Sequence, residues 1–272
     1  MTDGAACGSS STNQGSWLRA LADDRARGEP TITRASDWAC IVTGSTLAIV
    51  PARGGSKRIP GKNLKRIAGR SLVEHAVEQA AATTSITDVV LSTDDDDIAA
   101  VGRGLDECTV LDRPTRLATD TADVTAVVDH VIEAWSDPLD TIALLQPTSP
   151  LREPVDIDGA VRALGERNVP RVVSVTPYTQ PPQFALVEEN GTLDEYAKPG
   201  LLFESTVPRE QDIDELLYPN GAVYVARVSA WRETQTFYAD PVAGYRMPPE
   251  RSLQIDEPWE LDLVRAYMEQ DS

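Results

Sequence analysis

Between Trp38 and Val73 the chain carries seven Arg or Lys residues and no Asp or Glu, although its formal net charge is −18 over 272 residues. Six of those cations, Arg53, Lys57, Arg58, Lys62, Lys65 and Arg66, lie in LAIVPARGGSKRIPGKNLKRIAG, Leu47 to Gly69. The rest of the chain holds 18 basic against 43 acidic residues, a balance of −25. Cations gathered in one loop of so acidic a protein need an anion to meet. Gly54, Gly55 and Gly61 let backbone N–H groups approach that anion, and a following helix N-terminus favours negative charge. The chemistry these residues suit is polyphosphate binding. The spacing is not that of a Walker A loop: Gly55 and Gly61 enclose five residues, and Asn63 follows Lys62 where Ser or Thr is required. It is not GxGxxG either, which disfavours ATPase and dehydrogenase readings.

Other polar residues stand at positions where chemistry is plausible. Gln146, Ser149 and Arg152 follow an apolar run in LLQPTSPLR, in a loop that Pro147 and Pro150 stiffen. Arg113 and Arg116 precede the Thr119–Thr121 segment. Four consecutive carboxylates, Asp94–Asp97, cannot converge on one ion, and most of the run suits helix capping. Asp256, in RSLQID before the last helix, is a better metal candidate or else that helix's N-cap. His75 and His130 fall on expected helices and read as structural, with no Ser-His-Asp or Cys-His arrangement around them.

The elements that must position these groups alternate from Leu47 onward. Strand-like runs occur at Leu47–Val50, Asp88–Ser92, Thr109–Leu111, Thr141–Leu145 and Arg171–Val175. Helix-like segments lie between them at Ser71–Thr83, Asp96–Gly102, Thr121–Trp135 and Pro154–Glu166. This order predicts βαβ units and a mostly parallel sheet, with ligands beyond the carboxyl ends of its strands. The basic loop directly follows the first strand. Residues 176–219 read as an excursion from the sheet, with an apolar stretch at Phe184–Val187. A turn at Pro219-Asn220-Gly221, a strand at Ala222–Ala226 and a final helix at Pro258–Glu269 complete the expectation.

PARGGSKRIPGKN (Pro51–Asn63) resembles the signature of the acylneuraminate cytidylyltransferases, the CMP-sialic acid synthetases. STDDDDIA (Ser92–Ala99), RPTRLATDTA (Arg113–Ala122), LLQPTSPLR (Leu144–Arg152), VVSVT (Val172–Thr176) and YPNGAVYVAR (Tyr218–Arg227) continue the resemblance in order. It implies a GT-A-like nucleotidyltransferase fold, a Rossmann-like three-layer α/β sandwich, over residues 46–272. Residues 176–219 would then be an inserted segment for dimerisation and sugar binding. The implied reaction joins CTP and a nine-carbon 2-keto sugar acid into CMP-sugar and pyrophosphate, with Mg²⁺ as cofactor and a homodimer as the assembly. By the same resemblance Arg53, Lys62 and Arg209 are catalytic. Arg53, Gly54, Gly55, Ser56, Lys57, Lys62, Asn63, Arg113 and Thr121 hold the nucleotide, Gln146, Ser149 and Arg209 the acid, and Asp256 the metal.

Two positions depart from the family pattern. Gln254 stands where a first Asp is usual, and Glu210 where a second Arg follows Arg209. Acids such as legionaminate, pseudaminate or 3-deoxy-octulosonate therefore stay open as acceptors, and so does a catalytically silent nucleotide-binding relative.

Composition bounds the rest. Hydrophobic content of 41% and charge of 25% are those of a soluble globular protein, and no apolar run approaches membrane-spanning length. The acidic balance argues against nucleic-acid binding. Cys7, Cys40 and Cys108 are odd in number and scattered, and MTDGAACGSSSTNQG is no secretory signal, so a cytoplasmic location is expected. Residues 1–45 read as a weakly ordered or docking extension.

Overall fold

A computed structural model describes residues 44–119, 121–197, 200–203, 209 and 213–270. The expected extension, residues 1–45, lies almost wholly outside them. The elements are β1 (Thr46–Pro51), β2 (Arg66–Ile67), β3 (Arg70–Ser71), α1 (Leu72–Ala81), β4 (Asp88–Thr93), α2 (Asp96–Arg103), β5 (Thr109–Asp112), α3 (Val124–Ala134), β6 (Thr141–Leu144), α4 (Pro154–Glu166) and β7 (Arg171–Pro177). Then follow β8 (Leu186–Glu189), β9 (Thr192–Glu195), β10 (Leu217–Arg227), α5 (Val228–Thr234), β11 (Ala243–Arg246) and α6 (Pro258–Gln270).

Seven strands form one sheet in the order β11-β7-β10-β6-β1-β4-β5. All its pairings are parallel except those of β10, which runs antiparallel to both β6 and β7. The central strands are buried on both faces, as β1 with its run of fully buried residues Leu47–Val50 illustrates. Period-2 alternation sends Ala48 and Val50 to one face, where they meet Val73, Val77 and Ala80 of α1 and Ile157, Val161 and Leu164 of α4. Leu47 and Ile49 meet Val128 and Val131 of α3 and Trp231 of α5 on the other face. The result is the three-layer α/β sandwich that the resemblance implies, built on the mostly parallel sheet that the alternating pattern predicts.

Local chemistry explains the helix starts. Ser71 and Glu74 form a reciprocal capping box at α1, and Asp95 caps α2 by accepting from the N–H groups of Asp97 and Ile98. Pro154 opens α4 at the position where a missing N–H costs nothing.

Two expectations need correction. Pro219-Asn220-Gly221 is not a turn before a strand. It lies inside β10, where the register to β7 shifts between Pro219 and Tyr224. Gly221, at φ +73°, supplies the left-handed residue this irregularity needs. The excursion is also shorter than residues 176–219, because β7 extends to Pro177 and β10 begins at Leu217. Between them lies the exposed β8–β9 hairpin.

A third apolar cluster bears most on the site. Ile59 and Ile67 around the basic loop pack with Leu72 and Leu151, and with Ile255, Leu261 and Val264 at the chain's end. Burial of these side chains ties the loop after β1 to the segment leading into α6.

Candidate functional site

The loop following β1 is built as a rigid cradle. Gly61, at φ +62°, starts the short helical turn Lys62–Leu64, and the buried Asn63 donates its side-chain N–H to the Arg53 carbonyl at 2.9 Å. Gly54 donates its N–H to Asp94 Oδ1 at 3.1 Å. A Cβ on Gly54 would lie 2.3 Å from Asp95 Oδ2, so glycine here serves close packing of the loop on the start of α2. Of the acidic run, then, Asp95 is the cap, Asp96 and Asp97 sit in the helix's first turn, and Asp94 holds the loop.

A cavity of about 300 Å³ opens at the carboxyl edge of the sheet. Arg53, Ser56, Lys62 and Asn63 line it from the basic loop, Arg113 from the segment after β5, and Gln146 and Thr148 from the segment after β6. Leu117, Ala122, Val124 and Val127 form an apolar wall, and Asp256 closes one side. A neighbouring cavity of about 360 Å³ is lined by Arg53, Ser56, Lys57, Arg58, Lys62 and Asp256. Segments more than 200 residues apart in the sequence thus converge where a parallel sheet places its ligand.

Lys62 donates to the Ile255 carbonyl at 2.9 Å and to Asp256 Oδ1 at 3.1 Å. Arg58 pairs with Glu257 at 3.2 Å. The loop and the approach to α6 are therefore joined by charge as well as by the third apolar cluster. Arg113 is buried, with Nη2 donating to the Ser92 carbonyl at 2.6 Å and Nε to Ser92 Oγ at 3.2 Å. Burial lowers its pKa to about 10; the Asp94 carboxylate partly offsets that and Arg53 adds to it. Its charge is retained at neutral pH.

Several candidates are placed differently from the reading of the sequence. Ser149 does not line the cavity; it is 1% exposed, and its hydroxyl has no hydrogen-bond partner among the described residues. Arg152 is also fully buried and acts as a clamp. Its Nη1 donates to the carbonyls of Ala222 at 2.7 Å and Gln146 at 3.3 Å, and Nη2 donates to Gln79 Oε1 at 3.0 Å. Thr121 is exposed, 3.5 Å from the Thr119 hydroxyl, and Thr119 is the one that reaches the cavity. Gly55 is exposed, and no described residue beyond its chain neighbours lies within 4 Å of where a Cβ on it would stand. Arg209 is exposed and is not part of the cavity wall, and Glu210 lies outside the described residues.

Sequence reasoning missed Asp94 as a brace, and it missed the fit between Gly221 and Gln254. A Cβ on Gly221 would lie 1.7 Å from Gln254 Nε2. The glycine in PNG is the only sequence signal of this fit. The described residues hold no group of three metal-ligating side chains. Among the described residues a single carboxylate, Asp256, lies in the cavity wall with its side chain half exposed, an arrangement that fits a hard cation sharing most of its shell with water and phosphate. No helix among the described residues is long and apolar enough to cross a membrane.

A mostly parallel three-layer sandwich with a cationic cradle at its carboxyl edge defines the class, an α/β nucleotidyltransferase fold. CMP:2-keto-3-deoxy-manno-octonic acid synthetase, solved with CTP, shares that fold at a TM-score of 0.62 and 19% identity, over 84% of this chain and 100% of that one. The profile of the family described as Cytidylyltransferase matches residues 47–251, and the chain belongs to that family. It is a nucleotidyltransferase enzyme. Among its relatives are the CMP-N,N'-diacetyllegionaminic acid synthase of Legionella pneumophila, 33% identical over 82% of this chain and 96% of the relative, and the pseudaminic acid cytidylyltransferase of Campylobacter jejuni, 28% identical over 80% and 94%. The N-acylneuraminate cytidylyltransferase of Escherichia coli is 30% identical over 80% of this chain, which spans about half the length of that protein (51%).

Proposed function

We propose that the chain transfers CMP from CTP to a sialic-acid-like nine-carbon 2-keto sugar acid, releasing pyrophosphate. The observation that carries this reading is the convergence of Arg53, Lys62, Arg113, Gln146 and Asp256 on one cavity beside an apolar wall. The basic residues suit a triphosphate, the apolar wall a nucleobase and ribose, and Gln146 a polar sugar acid.

In the proposed reaction the sugar hydroxyl attacks the α-phosphorus and gives up its proton to solvent, a new P–O bond forms, and the bond to the bridging oxygen of pyrophosphate breaks. Phosphoryl chemistry of this kind demands positioning and charge neutralisation more than covalent help. Arg53 and Lys62 hold the phosphates, Asn63 braces the loop that carries them, and Arg113 adds a buried charge. Asp256 would hold Mg²⁺, which supplies charge neutralisation on the phosphates when bound. Arg209 carries no step here.

Two relatives covered almost end to end, the legionaminate and pseudaminate enzymes, make legionaminate and pseudaminate the alternatives to N-acylneuraminate as acceptor. A cytoplasmic location and a homodimer belong to the same proposal. Exposed Leu186, Val187, Leu193 and Tyr196 on the β8–β9 hairpin support the dimer, which light scattering tests as a doubled mass. Pyrophosphate release from CTP, measured with each acid, tests the activity.

A further inference from the structure

We infer that Gln254 is a positioning residue: it fixes the Gln146 side-chain amide with its NH₂ turned into the cavity, as a donor to an acceptor oxygen of the sugar acid. The inference rests on the proposed reading of this cavity as the place where acid and CTP meet.

Gln146 is held at both ends. Its backbone carbonyl accepts from Arg152 Nη1 and from the Ser149 N–H, each at 3.3 Å. Its side-chain Oε1 accepts from Thr148 Oγ1 at 3.4 Å and from Gln254 Nε2 at 3.5 Å. A threonine hydroxyl both donates and accepts, so Thr148 alone would tolerate either orientation of the Gln146 amide. The NH₂ of Gln254 only donates. It selects the orientation in which Gln146 Oε1 faces residue 254, and the Gln146 NH₂ then faces the cavity that the residue lines.

The Gln254 head group packs closely against Gly221. A Cβ on Gly221 would lie 1.7 Å from Gln254 Nε2 and 2.5 Å from Cδ, so the amide fills the notch this glycine leaves. Both sides of the notch are anchored by the buried Asn220. Its Oδ1 accepts from Ser174 Oγ at 2.5 Å and from the Ala222 N–H at 3.2 Å, and its Nδ2 donates to Ser252 Oγ at 2.8 Å. Ala222 follows the glycine and Ser252 lies two residues before Gln254, so one asparagine sets the distance between them.

Gln254→Glu tests the inference, because an ionised Glu keeps the shape and only accepts. Gln146 must then turn its NH₂ toward residue 254 and its carbonyl toward the cavity. In nucleotide-free, metal-free protein, the Gln146 side-chain ¹⁵N–¹H pair, assigned by its loss in Gln146→Leu, is expected to move downfield as its protons meet a charged acceptor. With the acid that the native enzyme uses, the KM for the acid is expected to rise about tenfold or more in Gln254→Glu and about threefold in Gln254→Met, with the KM for CTP within about twofold. An unmoved Gln146 amide pair in Gln254→Glu overturns the inference whatever the kinetics show. Equal losses for CTP and acid also overturn it, since they mark a merely structural residue. Should the native enzyme turn over no acid at all, the activity reading fails while the amide spectrum still decides the orientation.

Discussion

Lys62 and Asp256, 194 residues apart in the chain, meet at 3.1 Å across the mouth of the cavity, and the same Lys62 ammonium donates to the Ile255 carbonyl at 2.9 Å. The pair puts the proposed phosphate-binding cation and the candidate metal-binding carboxylate in one place. Lys62→Ala is expected to lower kcat/KM by about a hundredfold or more with an unchanged circular-dichroism spectrum, since the side chain acts on charge developing in the transition state. Native-like turnover in this variant would remove the loop from the mechanism.

Asp256→Asn keeps the shape of the side chain and removes its charge. The Mg²⁺ concentration for half-maximal rate is expected to rise about tenfold, and Mn²⁺ binding to the CTP complex, followed by electron paramagnetic resonance, to weaken in parallel. Unchanged Mn²⁺ affinity would leave Asp256 as a partner of Lys62 alone.

The capping box of α1 gives a pH test. Burial alone would raise the Glu74 carboxyl; the hydrogen bonds from Ser71 and the charge of Arg66 outweigh it, and the net pKa lies below the usual value. A depressed carboxyl pKa contributes stability that is present above the unfolded value and lost as pH falls through the folded one. Glu74→Gln should therefore cost about 1 kcal/mol in urea unfolding at pH 7, and the gap to the native protein should close below about pH 4.

Much of the fold was legible because its signals are local. Val73, Val77 and Ala80 mark α1 by spacing, Pro154 marks the start of α4, and the glycines and cations after β1 announce an anion site. What was not legible depends on pairings between distant segments. The antiparallel placement of β10 follows from neighbours in the sheet, and nothing in YPNGAVYVAR separates a bulge from a turn. Ser149 and Arg152 look alike from sequence, as polar residues after a strand, yet both are buried, on a segment whose Leu151 joins the apolar cluster with Ile67 and Ile255. Of the residues the resemblance names, Arg53, Ser56, Lys62, Asn63, Arg113, Gln146 and Asp256 line the cavity and Ser149, Thr121, Gly55 and Arg209 do not, whereas the braces Asp94 and Arg152 appear only once side chains have directions.

Gly221 links the fold to the site. Gly221→Ala forces a Cβ into a left-handed backbone position and into the Gln254 amide at once. The expected cost is about 1–3 kcal/mol of stability, read as a lowered melting temperature, together with a raised KM for the acid. A stable variant with unaltered kinetics would show that the notch is not needed.

The most direct measurement is pyrophosphate release by the purified chain from CTP and Mg²⁺, with N-acetylneuraminic, N,N'-diacetyllegionaminic and pseudaminic acids supplied separately, and UTP as the control nucleotide. Acid-dependent release is expected with at least one of the three, and none with UTP. Measurable CTP binding with no release for any acid would contradict the proposed transfer of CMP.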